Sequence, residues 1–425
     1  MWQEDDLIVR FEPQYIILPK ERYEITRLIK FKLKNLRWIT ILNEGNHQDK
    51  DHKRLLSVSV DSLKIVAPDL FTFWNRDDLV RYKKLLSKKT KLELLGYYRT
   101  DLFMKPLYDL FPTRDELLKK YDLPLENKTI TLASSVQESH VSNALQMQRA
   151  ARYKKDPEKV KFYNLVVENS KTLRDITIEV LEYIANNYPD INIIIKPHPN
   201  ENTVYWKNII DKLSHENIYL MEGEPIMHLL RVSDLNINHN ICTTTFEAQL
   251  TGVPSVELHS NNSHELYGED HMNLPQYIVK TVDEIDRVIV SEIIDEKTKK
   301  NGFSNGQKEK LEKYINKYAH KFDGQRCKAY ANSIDQFIQE DKNGRYDISL
   351  FERIRLIYYL TPHLVKQFIK EFTIVRLIRR KNNLALLDND KLNSEKTDHL
   401  GRYDNRINSG DEINWFKKFQ LLDKL

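Results

Sequence analysis

Residues 191–198 read INIIIKPH. Four isoleucines in five positions suit a strand covered on both faces, because parallel strands sandwiched between helices read as near-continuous apolar runs. The strand then ends abruptly in Lys196 and His198, with Pro197 and Pro199 fixing two φ angles and removing two backbone donors around the imidazole. Similar short apolar runs occur at 14–19, 38–43, 62–74, 91–96, 128–134, 217–222, 234–240 and 254–258. Helical periodicity lies between them, most clearly in TLRDITIEVLEYIANNY (172–188), whose apolar residues fall three and four apart. Strands alternating with helices predict an α/β chain with parallel sheets.

At 425 residues the chain exceeds what one hydrophobic core usually holds, so two domains and an appendage are expected. The stretch 106–127 has proline at both ends and a helix start at Thr113, with Glu116 placed to complete a capping box. It divides an N-terminal domain (1–110) from a second domain (111–342). The strand signal stops there, and 343–425 is a basic helical tail whose end has the composition of a poorly ordered segment. A net charge of +4 on 66 basic and 62 acidic residues argues against a nucleic-acid binder. Two cysteines exclude a disulfide framework and a thiolate metal cluster, as suits a cytoplasmic protein. No run of 18 apolar residues is present, so the expected state is soluble or peripheral to a membrane.

In open parallel sheets, ligands bind beyond the carboxyl ends of the strands, which is where Lys196 and His198 are placed. Taken alone, the same residues equally suit a proline turn whose histidine caps a carbonyl. A second stretch, NINHNICTTTFEAQLTGVPSVEL (236–258), runs from strand through polar turn to helix, then Gly252, Pro254 and another strand. Thr243, Thr244 and Thr245 head that helix, where free N–H groups and the helix dipole attract an anion. One threonine would be an ordinary N-cap; three in a row after Asn238, His239 and Asn240 predict a phosphate seat. Glu247 either accepts from a ribose or complements the dipole. Ser134 and Ser135 follow the first strand of this half and either face the same crevice or form a turn. No Walker-type glycine loop is present, and no Asp-x-Asp pair occurs within the second domain (111–342), so the expected site needs no metal and no cofactor. For a base, Glu44 follows the strand at 38–43, with His47 as its rival; a run this polar also suits a solvated loop.

These segments resemble the GT-B glycosyltransferases, within them the bacterial capsule and lipopolysaccharide group related to polysialyl and Kdo capsule transferases and CDP-glycerol glycerophosphotransferases. IIIKPHP (193–199) is similar to the family's His-Pro motif and ICTTTFEAQLTGVPSVEL (241–258) to its Ser/Thr motif. WITILNEGN (38–46) and LELLGYYRTDLF (92–103) are similar to first-domain elements. The resemblance implies two Rossmann-like domains, the first abbreviated, and a sugar moved from a nucleotide donor, of the CMP-sugar class, to a surface-polysaccharide acceptor. It gives His198 and Thr243–Thr245 the donor phosphate; the reading of the strand ends sets Lys196, Asn240, Glu247, Ser134 and Ser135 around them, with Glu44 and His198 as the catalytic candidates. The alternatives on this fold are a UDP-GlcNAc 2-epimerase-like isomerase and a non-catalytic nucleotide-binding homologue. The tail segment 348–381 mixes cations such as Arg353, Arg379 and Arg380 with Phe351, Ile357 and Phe372. It suits either an anionic membrane surface on the cytoplasmic side or a helical pair packed on the domains.

Overall fold

A computed structural model describes residues 15–18, 37–42, 68–86, 88–142, 146–147, 150, 157–199, 201–239, 243–266, 272–295 and 303–341. The tail segment 348–381, Glu44, His47 and Asn240 lie outside these residues. Contacts divide the chain into two compact units, and the described part of each is α/β.

The first unit carries a four-stranded parallel sheet in sequence order: β1 (Tyr15–Leu18), β2 (Arg37–Ile41), β3 (Leu70–Phe73) and β4 (Lys91–Leu94). Alternation along β2 and β3 gives each face its own core. Phe71 and Phe73 pack with Tyr82 and Leu86 on the side of α1 (Arg76–Leu85), whose N-cap Asn75 accepts from Asp78 N–H. Ile39 and Leu70 pack against Phe337 on the opposite face. Phe337 belongs to α10 (Arg326–Glu340), whose buried Tyr330, Ser333 and Phe337 share one helical stripe. The domain division expected from sequence differs here: residues 315–341 group with the first unit, because this stripe covers the first sheet. Asp341 anchors the helix end, accepting from Arg37 Nε (2.7 Å) and Tyr15 Oη (3.2 Å). Gly96, just after β4, has φ +88°, and a Cβ there would lie 2.7 Å from the Ala319 carbonyl oxygen. Only glycine lets the two chains approach this closely.

The second unit holds a six-stranded parallel sheet of β5 (Lys128–Ala133), β6 (Ile191–Lys196), β7 (Ile218–Leu220), β8 (Leu235–His239), β9 (Ser255–Leu258) and β10 (Tyr277–Val279). Its order is β7-β6-β5-β8-β9-β10. That is the doubly wound Rossmann order, with a topological switch between the adjacent strands β5 and β8. On one face Ile130, Leu132, Ile193, Ile195, Leu235 and Ile237 pack against α3 (Pro157–Asn187), α4 (Thr203–Leu213) and α8 (Val282–Ile289). On the other, Ile194 packs with residues of α2 (Arg114–Lys120) and α5 (Ile226–Val232), and α6 (Thr243–Leu250) contacts α5, β8 and β9. The capping box of Thr113 and Glu116 starts α2, and α3 extends the helix read at 172–188 back to Pro157. The short helix α7 (Ser263–Leu266) follows β9, and α9 (Asn305–Tyr314) closes this unit. Gly252, with φ +80°, turns the chain from α6 towards β9.

Candidate functional site: the switch point of the second sheet

The register aligns four strand ends across the sheet. Ala133 pairs with Lys196 on one side and with Asn238 on the other, and Asn238 pairs with Glu257. In a parallel sheet, paired residues point to the same face, so Lys196, Ala133, Asn238 and Glu257 form one row on the α6 side at the carboxyl edge. The loops after β5, β6 and β8 leave from this edge, on either side of the switch.

Glu201 ties two of those loops together. Its carboxylate is buried and accepts from Ser134 Oγ (2.9 Å), the Val136 N–H, the His198 N–H (3.2 Å) and Trp206 Nε1 (3.1 Å). Burial pushes this carboxyl above its ordinary range, although the four donors act to lower it. The Glu201 N–H also donates to the His198 carbonyl (2.8 Å), closing the turn around the half-buried imidazole.

His239 secures the third loop. Its Nδ1 accepts from the Ser135 N–H (3.1 Å), so the ring proton sits on Nε2 and is given to Thr177 Oγ1, which donates in turn to the Leu173 carbonyl (2.6 Å). Full burial, then the nearby His140, push its pKa from the ordinary 6.5 to about 3, so the ring is neutral at physiological pH. His140, in the short turn Gln137–His140, packs against Tyr205 with the rings tilted by 46° and 3.9 Å between ring centres. Burial and then Arg174 lower its pKa to about 4.

On the α6 side the polar groups form a chain. Asn238 Nδ2 donates to Asn236 Oδ1 and to Thr245 Oγ1 (3.3 Å), Thr245 Oγ1 donates to Glu257, and Glu257 Oε2 pairs with His259 Nε2 (2.9 Å). All five residues are fully buried or nearly so. Lys196 donates its ammonium to the Glu222 carbonyl. Burial lowers its pKa, against the opposing pull of Glu224 and Glu222. Burial acts to raise Glu224, but hydrogen bonds from His228, Lys120 and Tyr121 outweigh it and hold that carboxyl at about 2. The positive potential of Lys196 is thus partly matched by a fixed anion.

The candidates expected from sequence divide accordingly. His198, Ser135, Thr243, Thr244 and Glu247 stand at the strand ends and at the head of α6, with Thr244 and Glu247 buried and Thr243 partly exposed. Ser134 and Thr245 commit their hydroxyls to Glu201 and Glu257, so they build the walls instead of offering donors to a ligand. Glu201, Glu257 and His259 are further members that no motif picks out, and His239, read from sequence as a strand-end polar residue, serves to secure a loop. Among the described residues no three His, Cys, Asp or Glu side chains gather as metal ligands, and no helix is long and apolar enough to cross a membrane.

No protein-family model matches the chain, and no curated protein matches it in sequence. Solved structures do. A variant of the wall teichoic acid polymerase TagF soaked with CDPG is 13% identical over 77% of this chain and 74% of that one, with a TM-score of 0.50. The fold is therefore GT-B-like, two Rossmann-like parallel units. Staphylococcus aureus MnaA with UDP is 13% identical, covers 79% of each chain and has a TM-score of 0.47. A Methanocaldococcus jannaschii UDP-GlcNAc 2-epimerase with UDP-GlcNAc and UDP is 15% identical over 73% of this chain and 77% of that one, at 0.43.

Proposed function

We propose that the chain is a glycosyltransferase of surface-polysaccharide assembly that takes a sugar from a nucleotide-activated donor and holds the donor phosphate, without a metal ion, at the switch point of the second sheet. The observation that carries this reading is the convergence of the β5 and β6 loops and the threonine-headed helix α6 on one carboxyl edge. His198, Ser135 and the N–H groups and hydroxyls of Thr243 and Thr244 serve the phosphate, Asn240 adds an amide, and Lys196 contributes potential from the side. Glu247 takes the ribose. In the transfer, an acceptor hydroxyl oxygen bonds to the anomeric carbon as that carbon's bond to the phosphate oxygen breaks. The nucleotide leaves with the electron pair, and Glu44 takes the hydroxyl proton.

The preferred donor is a CMP-sugar and the acceptor a glycan or glycolipid, with the basic segment 348–381 resting on an anionic membrane face. The soak of TagF with CDPG supports a nucleotide-linked donor on this fold. A thermal-shift panel of CMP, CDP, UDP and GDP, followed by incubation with the matching nucleotide sugars, tests the reading. Stabilisation by one nucleotide and acceptor-dependent release of it is the expected result. Consumption of a nucleotide sugar without acceptor identifies an isomerase, and binding without turnover a non-catalytic homologue.

A further inference from the structure

His198 sits in an unusual backbone setting. Pro197 and Pro199 have no N–H, so the His198 N–H is the one backbone donor of this three-residue turn, and the His198 carbonyl is an acceptor beside it. Both are taken by one residue: Glu201 accepts from the His198 N–H through its side chain and donates its own N–H to the His198 carbonyl. The same carboxylate reaches 67 residues back to Ser134 and 65 residues back to Val136, in the loop after β5. Its fourth donor, Trp206 Nε1, comes from α4 and belongs to neither loop.

The four donors are shared two and two. Oε1 receives the β5 loop through Ser134 and Val136, and Oε2 receives the His198 N–H and Trp206. One carboxylate therefore sets the distance between the loop that carries Ser135 and the turn that carries His198. Nearby Glu224 bears the Lys120 ammonium, whereas among the interactions described Glu201 is met by donors from neutral groups alone.

We infer that Glu201 is a positioning residue that holds the His198 turn and the Ser134–Val136 loop at the separation a nucleotide phosphate requires. This rests on the phosphate reading of the switch point. A glutamine in its place keeps the shape but turns one acceptor oxygen into a donor. The two donors on that side then face a third, and the amide can serve one loop or the other but not both.

The test is calorimetric titration of the full chain with CMP, CDP, UDP and GDP separately, comparing wild type, Glu201→Gln, Trp206→Phe, His198→Ala and the Glu201→Gln/His198→Ala pair, each with its melting temperature. Glu201→Gln is expected to raise Kd about tenfold, the worth of one disrupted buried hydrogen bond. Trp206→Phe removes the donor that holds no loop, so it lowers the melting temperature while leaving Kd within about twofold. In the pair, the effect of Glu201→Gln on Kd is smaller than in the wild-type background, because the imidazole, one of the two groups it positions, is gone. An unchanged or tighter Kd in folded Glu201→Gln overturns the inference. So does a Glu201→Gln penalty of the same factor with and without the His198 imidazole, since a general loosening of the fold is additive. Failure of the wild type to bind any of the four nucleotides overturns the phosphate reading, and this inference falls with it.

Discussion

A buried neutral imidazole makes the second unit sensitive to mild acid. His239 has its pKa pushed down to about 3 by burial, so in the folded chain it stays unprotonated where an unfolded imidazole, at 6.5, takes up a proton. The unfolded state binds more protons between those two values. The contribution of His239 is therefore complete above about pH 6.5 and is lost as pH falls through the window below. Between pH 7.5 and pH 5 the loss is about 2 kcal/mol for this one group. Other groups shift too: burial raises Asp78 in the first unit to about 6, against Asn75 and Arg81, which gives the opposite slope. A difference between two proteins isolates the imidazole. His239→Asn keeps an acceptor for the Ser135 N–H but cannot titrate or reach Thr177. Urea unfolding followed by circular dichroism should find it roughly 2 to 3 kcal/mol less stable than wild type at pH 7.5, and that gap should shrink by about 2 kcal/mol at pH 5. A gap of the same size at both pH values refutes a buried, neutral His239.

Gly96→Ala places a Cβ against the Ala319 carbonyl in a left-handed backbone, and should cost roughly 3 kcal/mol in urea unfolding; a loss under about 1 kcal/mol contradicts the close approach. Thr245→Val removes the hydroxyl donor on Glu257 Oε1 and should lower stability by about 1 to 3 kcal/mol while changing nucleotide Kd less than Thr244→Val does. Nucleotide affinity that falls more with Thr245→Val returns that hydroxyl to the ligand. Deleting 348–425 should abolish cosedimentation with liposomes rich in anionic lipid, and undiminished cosedimentation removes the tail from membrane contact.

Much of the sheet architecture was legible because buried parallel strands are written as uninterrupted apolar runs: INIIIK became β6 and KTITLA became β5. β10 was not, since three residues at a sheet edge, with Ile278 exposed, leave too short a signal. The placement of α10 also escaped, because an amphipathic stripe says that a helix packs but not on which sheet. In the site, the strand-end position of His198 and the threonines at the head of α6 followed from pattern. The direction of individual hydroxyls did not. Ser134 and Thr245 look like ligand donors in the sequence, and only their partners Glu201 and Glu257, brought up by the fold, turn them inward. Glu201 itself lies in the polar run after the prolines, where a carboxylate ordinarily belongs to solvent.

The most direct measurement is the affinity of wild type and His198→Ala for CDP and for cytidine, side by side in the calorimeter. If the imidazole holds the phosphate, the substitution weakens CDP by about ten- to a hundredfold, the worth of one charge-assisted hydrogen bond, and leaves cytidine unchanged. Equal affinity of both proteins for CDP contradicts the account at its centre.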